Sequence, residues 1–289
     1  DHPDVFALPF EYRFTIDPDG LISTYNILKN VWSPFQADLA ITRLESLLMG
    51  MGSKSTDITE GTNHQTPYSD WELGKWFPNY YQQVKQLISE LSVFSYSGTW
   101  PGVTKSPTGN NIRSTSYAAT DTRLKSIFNA FLVNLYDNIL EEKNASCFVE
   151  DNTWSLLFAK DIYDILPRIK FIHVVRDPRD VVASMLHQRW CPSDLSQCIQ
   201  FFKSIHSRIS NQIEEIPCEN LYMFSIEDFV KKTEIIQNVA DFIGIDPNMV
   251  DQNKLSNSSF GRWQKQFSQS ESKMLNMELK KEIIKFNTL

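Results

Sequence analysis

Ile169-Lys170-Phe171-Ile172-His173-Val174-Val175 runs without a break into Arg176-Asp177-Pro178-Arg179-Asp180 and then into Val181-Val182-Ala183-Ser184-Met185-Leu186-His187. The first part is largely apolar and β-branched, as a strand covered on both faces requires. Pro178 can begin a helix without losing a needed donor, so the chain turns there from strand to helix. Arg176 then stands at the strand's end with a planar fork of donors suited to a phosphate. Ser184, about two turns into the helix, lies where its hydroxyl can reach the same anion. Charge pattern alone also allows a blander reading, in which Arg176-Asp177 and Arg179-Asp180 are surface ion pairs capping a helix.

Outward from this stretch, four short runs read as buried parallel strands: Val5–Pro9, Ser146–Val149, Lys170–Val175 and Leu221–Ser225. Helical periodicity occupies Asp38–Met49, Trp71–Leu91, Thr120–Glu142, Ser155–Leu166, Leu195–Ile216 and Glu234–Ile243. Strands separated by helices imply βαβ units, hence an α/β fold with a parallel sheet covered by helices on both faces. The polar stretches Gly50–Pro67 and Ser95–Tyr117 read as loops. In open sheets of this kind ligands bind beyond the carboxyl ends of the strands, which directs attention to the loops that follow them.

With 289 residues the chain suits one large domain. A net charge of −7 argues against a protein whose main task is gripping nucleic acid, so any anion site must be local. No apolar run approaches the ~20 residues that cross a bilayer, and no signal peptide opens the chain. Cys147, Cys191, Cys198 and Cys218 are too few for a disulfide framework and lack zinc-site spacing; Cys191 and Cys198 could pair, though reduced, partly buried thiols are the default. Asn144-Ala145-Ser146 and Asn257-Ser258-Ser259 fit the glycosylation pattern without settling the compartment.

The Lys170–His187 run closely resembles the 3′-phosphate-binding segment of the sulfotransferases that use 3′-phosphoadenosine-5′-phosphosulfate. In that family an Arg at the strand's end and a Ser eight residues later bind the 3′-phosphate, a spacing that Arg176 and Ser184 keep. Further matches follow in order. His2-Pro3-Asp4-Val5 with Pro9-Phe10-Glu11-Tyr12-Arg13-Phe14 resembles the segment that ends in an acidic residue at the catalytic centre. Phe148-Val149-Glu150-Asp151-Asn152-Thr153 resembles a strand-end acidic segment, and Leu221–Val230, with Glu227-Asp228, a strand and acidic turn downstream. Gly261-Arg262-Trp263-Gln264-Lys265 resembles the C-terminal loop that closes over the nucleotide. The arrangement is closest to Golgi-type, bacterial and tyrosylprotein sulfotransferases with a carboxylate base.

The resemblance implies a P-loop-NTPase-like single domain, the phosphosulfate nucleotide as co-substrate, no metal, and an acceptor that is a small molecule, glycan or peptide. It implies donor contacts from Arg176, Ser184, Gly261, Arg262, Trp263 and Lys265, and Glu11 as general base, with His64 or His187 as substitutes. His173, mid-strand, reads as a satisfied core histidine. Trp190, Phe260 and Trp263 could stack on an adenine or acceptor ring, although such aromatics more often fill a core. The family's Gly/Ser/Thr-rich 5′-phosphosulfate loop and its strand are expected upstream of His2, in roughly 20 to 40 further residues. Gly50-Met51-Gly52-Ser53-Lys54-Ser55-Thr56 follows a helix rather than a strand and reads as a helix C-cap. A kinase relative is disfavoured because no GxxxxGK[ST] loop is present. A nucleotide-binding module that keeps the 3′-phosphate site without transferring is the alternative from another class. Cytoplasmic residence is expected, or the Golgi lumen if an anchor has been removed.

Overall fold

The computed structural model describes residues 2–53, 71–100, 113–118, 123–250 and 260–288. They fall into two compact units, Asp4–Ser155 with Asp164–Pro167, and Leu156–Tyr163 with Arg168–Leu289 and Asp1–Pro3. The architecture is mixed α/β, mostly helical, with small parallel ladders. His64 and most of the polar stretch around it lie outside the described residues.

In the first unit β1 (Val5–Ala7) pairs in parallel with the later strand Cys147–Val149, Phe6 standing opposite Phe148. Between them come α1 (Leu21–Asn30), α2 (Pro34–Gly52), α3 (Leu73–Trp76), α4 (Tyr80–Leu91), β2 (Phe94–Gly98), β3 (Arg113–Tyr117) and α5 (Leu124–Lys143), so Cys147–Val149 is β4. The helix α2 starts where the sequence chemistry permits: Ser33 accepts from the Gln36 N–H and Pro34 takes the first position. On α4 the buried residues Tyr80, Val84, Leu87 and Leu91 recur at helical spacing and form one apolar stripe.

Two expectations change here. The single helix expected over Trp71–Leu91 is two, because Pro78 holds Phe77 extended (φ −97°, ψ 118°) and Asn79 turns left-handed (φ 56°). The helix α2 ends, as expected, within the run that starts at Gly50: Gly52 is its last residue and Ser53 its C-cap, and a Cβ on Gly52 would stand 2.6 Å from the Tyr80 ring, so the glycine also serves close packing. The stretch read as a loop over Ser95–Tyr117 contains the antiparallel pair β2–β3. That pair is held by buried Asp38 of α2, which accepts from the Ser116 N–H at 2.9 Å and the Trp100 indole at 2.8 Å.

A short 3₁₀ turn, Ser155–Phe158, and α6 (Ala159–Ile165) lead into the second unit. There β5 (Phe171–Val175) pairs in parallel with β6 (Leu221–Ser225), Phe171 opposite Leu221. The helices are α7 (Pro178–Met185), α8 (Leu195–Ile213), α9 (Ile226–Lys231), α10 (Thr233–Ile243), α11 (Arg262–Gln266), α12 (Gln269–Glu278) and α13 (Lys280–Phe286). Val182, Met185, Cys198, Ile199, Phe202, Leu275 and Leu279 form a core that clamps α7 between α8 and α12. Among the described residues the strands form three two-stranded ladders rather than one sheet, and Val174 of β5 is 48% exposed.

Candidate functional site

In the second unit β5 gives way to α7 at a corner that carries Arg176, Asp177, Arg179 and Asp180. Asp177 caps the helix, accepting from the Arg179 N–H at 2.9 Å, while its own N–H donates to Glu227 of α9 at 3.2 Å. The side chain of Arg179 folds back onto the same carboxylate in a bidentate pair, 2.9 and 2.6 Å, donates to Asn276 at 2.8 Å, and lies 4.2 Å over the Trp263 ring. Arg179 is thereby committed to the fold. Arg176 pairs instead with Asp180 at 3.6 Å. The ion pairs expected between sequence neighbours are therefore crossed: Arg176 with Asp180, Arg179 with Asp177.

Asp180 is the residue that sequence reasoning passed over. It is 1% exposed and accepts from the Gly261 N–H at 2.8 Å and the Trp263 N–H at 3.0 Å, on top of its contact with Arg176. Gly261 permits this approach because its φ of 67° is one that side-chain-bearing residues rarely adopt. Gln266 donates to the Ala183 carbonyl at 3.1 Å, so the Gly261–Gln266 segment is fixed to α7 at both ends. On that segment Arg262 and Lys265 are exposed, whereas Trp263 is buried beneath Arg179. Asp180 and Ser184, four apart, share one face of α7. The signal available in sequence was that i, i+4 spacing.

His187, just past α7, is exposed. His173 does not match the expectation of a satisfied core histidine: its buried Nδ1 has no hydrogen-bond partner. Burial, with His206 and Lys285 nearby, pulls its pKa down to about 4, so the ring is neutral at pH 7.

The first unit sets two carboxylates after its paired strands. Glu11 stands four residues past β1 and half-buried; its Oε1 accepts from both the Thr153 N–H (3.2 Å) and the Thr153 hydroxyl (2.5 Å). Arg13 pairs with Asp17 at 3.9 Å. Asn152 donates to the Tyr12 carbonyl at 2.9 Å, tying the segment after β4 to the segment after β1. Glu150 directly follows β4 and receives the Ser155 hydroxyl at 3.1 Å and the Tyr136 hydroxyl at 3.4 Å, Tyr12 donating in turn to Tyr136 at 3.2 Å. Burial pushes the Glu150 carboxyl up to about 7, the three hydroxyls holding it back only in part.

That shift has a thermodynamic sign. A carboxyl that titrates near 4.5 when unfolded and near 7 when folded destabilises the fold in its ionised form. Stability is expected to fall by about 3 kcal/mol as pH rises from about 4.5 to 7, and to stay low above. Glu150→Gln should flatten that slope and melt above the parent protein at pH 8. Denaturant titrations of both proteins at several pH values check this; equal slopes would refute it.

A scan against protein families matches residues 42–249 to the sulfotransferase family. The match takes in more than half of the chain, including Arg176, Asp180 and Ser184, and the chain belongs to that family. Glu11 and the Gly261–Lys265 segment lie outside the matched residues. A search of curated proteins finds no match. Among solved structures, the sulfotransferase domain from the curacin biosynthetic pathway is similar, with 13% identity over 57% of this chain and 69% of that one and a TM-score of 0.36.

Proposed function

We propose that this protein moves the sulfuryl group of 3′-phosphoadenosine-5′-phosphosulfate to a hydroxyl or amine of a small molecule, glycan or peptide, the whole chain acting as one P-loop-NTPase-like sulfotransferase domain. The observation that carries this reading is the Asp180 junction. One buried carboxylate joins the strand-end Arg176, the helix bearing Ser184 and the segment bearing Arg262 and Lys265. These residues suit the donor's 3′-phosphate: a guanidinium fork, a hydroxyl and two exposed cations gather on one framework. Trp263 contributes to that framework through its backbone N–H and buried ring. The donor supplies an activated sulfuryl group, whose transfer asks the protein for positioning, charge stabilisation and a base.

Glu11 is the base in this reading. Thr153 holds one carboxylate oxygen through two donors, which orients the other for a proton on the acceptor. Calorimetry with adenosine 3′,5′-bisphosphate, followed by an acceptor screen with donor labelled in its sulfate, tests the proposal. Binding followed by label transfer to some acceptor class is expected. Binding with no transfer to any class would favour a module that only holds the nucleotide, and an absence of 3′-phosphate-dependent binding would overturn the donor assignment.

A further inference from the structure

Cys191 and Cys198 stand apart from the residues assigned to sulfuryl transfer. Their Sγ atoms are 3.5 Å apart. Cys198 lies in the first turn of α8, its N–H donating to the Asp194 carbonyl at 2.9 Å, and its buried thiol points at the Val182 carbonyl of α7. Cys191 is half-buried in the turn that follows α7, where its N–H donates to the Gln188 carbonyl at 3.2 Å. A disulfide needs about 2 Å between sulfurs, so a small rotation at the turn-borne Cys191 is enough to close the gap.

We propose that Cys191 and Cys198 are an oxidisable dithiol site, which a small disulfide oxidant closes to a Cys191–Cys198 bond. The steps follow from accessibility. The Cys191 thiolate attacks oxidised glutathione, forming a mixed disulfide and expelling one glutathione thiolate. Cys198 then attacks the Cys191 sulfur and expels the second. The two cysteine protons pass through solvent to the two expelled thiolates, and the two electrons leave with them on two molecules of reduced glutathione. Burial, and then the contact with Cys191, push the Cys198 thiol up to about 12, which leaves the first attack to Cys191 and makes closure the slower step. The bond anchors the turn after α7 to a residue packed with Val182 and Met185, on either side of Ser184. Oxidation therefore acts on the helix that carries Ser184.

The test uses the whole chain and its own cleavage pattern. Trypsin cuts after Arg189 and Lys203, so one peptide, 190–203, holds both thiols, while Cys147 and Cys218 fall on other peptides. After oxidised glutathione and alkylation, that peptide should carry no alkyl group and weigh about 2 Da less than its reduced form, reversibly with dithiothreitol. In Cys191→Ser, Cys198 should remain an unmodified thiol under the same treatment. A stable glutathione adduct on Cys191 beside a free Cys198 would overturn the proposal. So would an unchanged 190–203 peptide in a sample whose exposed Cys218 has been glutathionylated, or prompt modification of Cys198 in the Cys191→Ser protein.

Discussion

Arg176→Ala is expected to weaken binding of adenosine 3′,5′-bisphosphate by about 1.5 to 3 kcal/mol, roughly tenfold to 150-fold, the range for a charge-assisted hydrogen bond. Binding of adenosine 5′-phosphate, which lacks the 3′ group, should be nearly unchanged. The selectivity follows from the division of labour between the two arginines. Arg179 is locked in a bidentate pair with Asp177 and stacked on Trp263, whereas Arg176 makes a longer contact with Asp180 at the end of β5. Removing Arg176 also leaves Asp180 with one cation fewer, so some loss of thermal stability accompanies the change. Such a loss would affect both nucleotides alike, and the ratio of the two affinities isolates the phosphate contact. Equal weakening for both nucleotides sinks the assignment. Arg176→Lys, which keeps the charge without the fork, should fall between the parent and the alanine variant.

Glu11→Gln should lower turnover by roughly 10² to 10⁴ while leaving affinity for adenosine 3′,5′-bisphosphate near that of the parent. The substitution keeps an oxygen for the two Thr153 donors, so the side chain can stay in place while losing its capacity to take a proton. A structural carboxylate would behave in the opposite way, with a lower melting temperature and unchanged turnover per folded molecule. Both quantities must come from the same preparation, because only their separation distinguishes a base from a brace. Retained turnover would move the base to His64 or His187. Thr153→Val offers a graded companion: it removes the hydroxyl donor, leaves the backbone donor, and should cost turnover less than the loss of the carboxylate does.

The β5–α7 corner was legible because its causes are local. A β-branched apolar run, a proline at the first helical position and an arginine between them specify strand, turn and helix from within one stretch, and β5 and α7 follow it closely. The strand Leu221–Ser225 and helix Thr233–Ile243 were legible for the same reason. Family membership also rests on sequence, through the match over residues 42–249. Periodicity failed where a single residue overrode it, as Pro78 did in the Trp71–Leu91 stretch, and where polar composition hid the strand pair β2–β3.

What only the tertiary structure decided is which charges meet. Along the chain Arg176 adjoins Asp177, and Arg179 adjoins Asp180, so adjacency suggests those pairs. Once Asp177 is spent capping α7, its carboxylate faces Arg179, while Asp180 turns inward toward Arg176 and the distant N–H groups of Gly261 and Trp263. The 81-residue separation between Asp180 and Gly261 leaves no trace in local pattern. The same holds for the grip of Thr153 on Glu11 and for the burial that raises the Glu150 carboxyl. A side chain's charge is written in the sequence, but its partner and its solvation depend on what the fold packs around it.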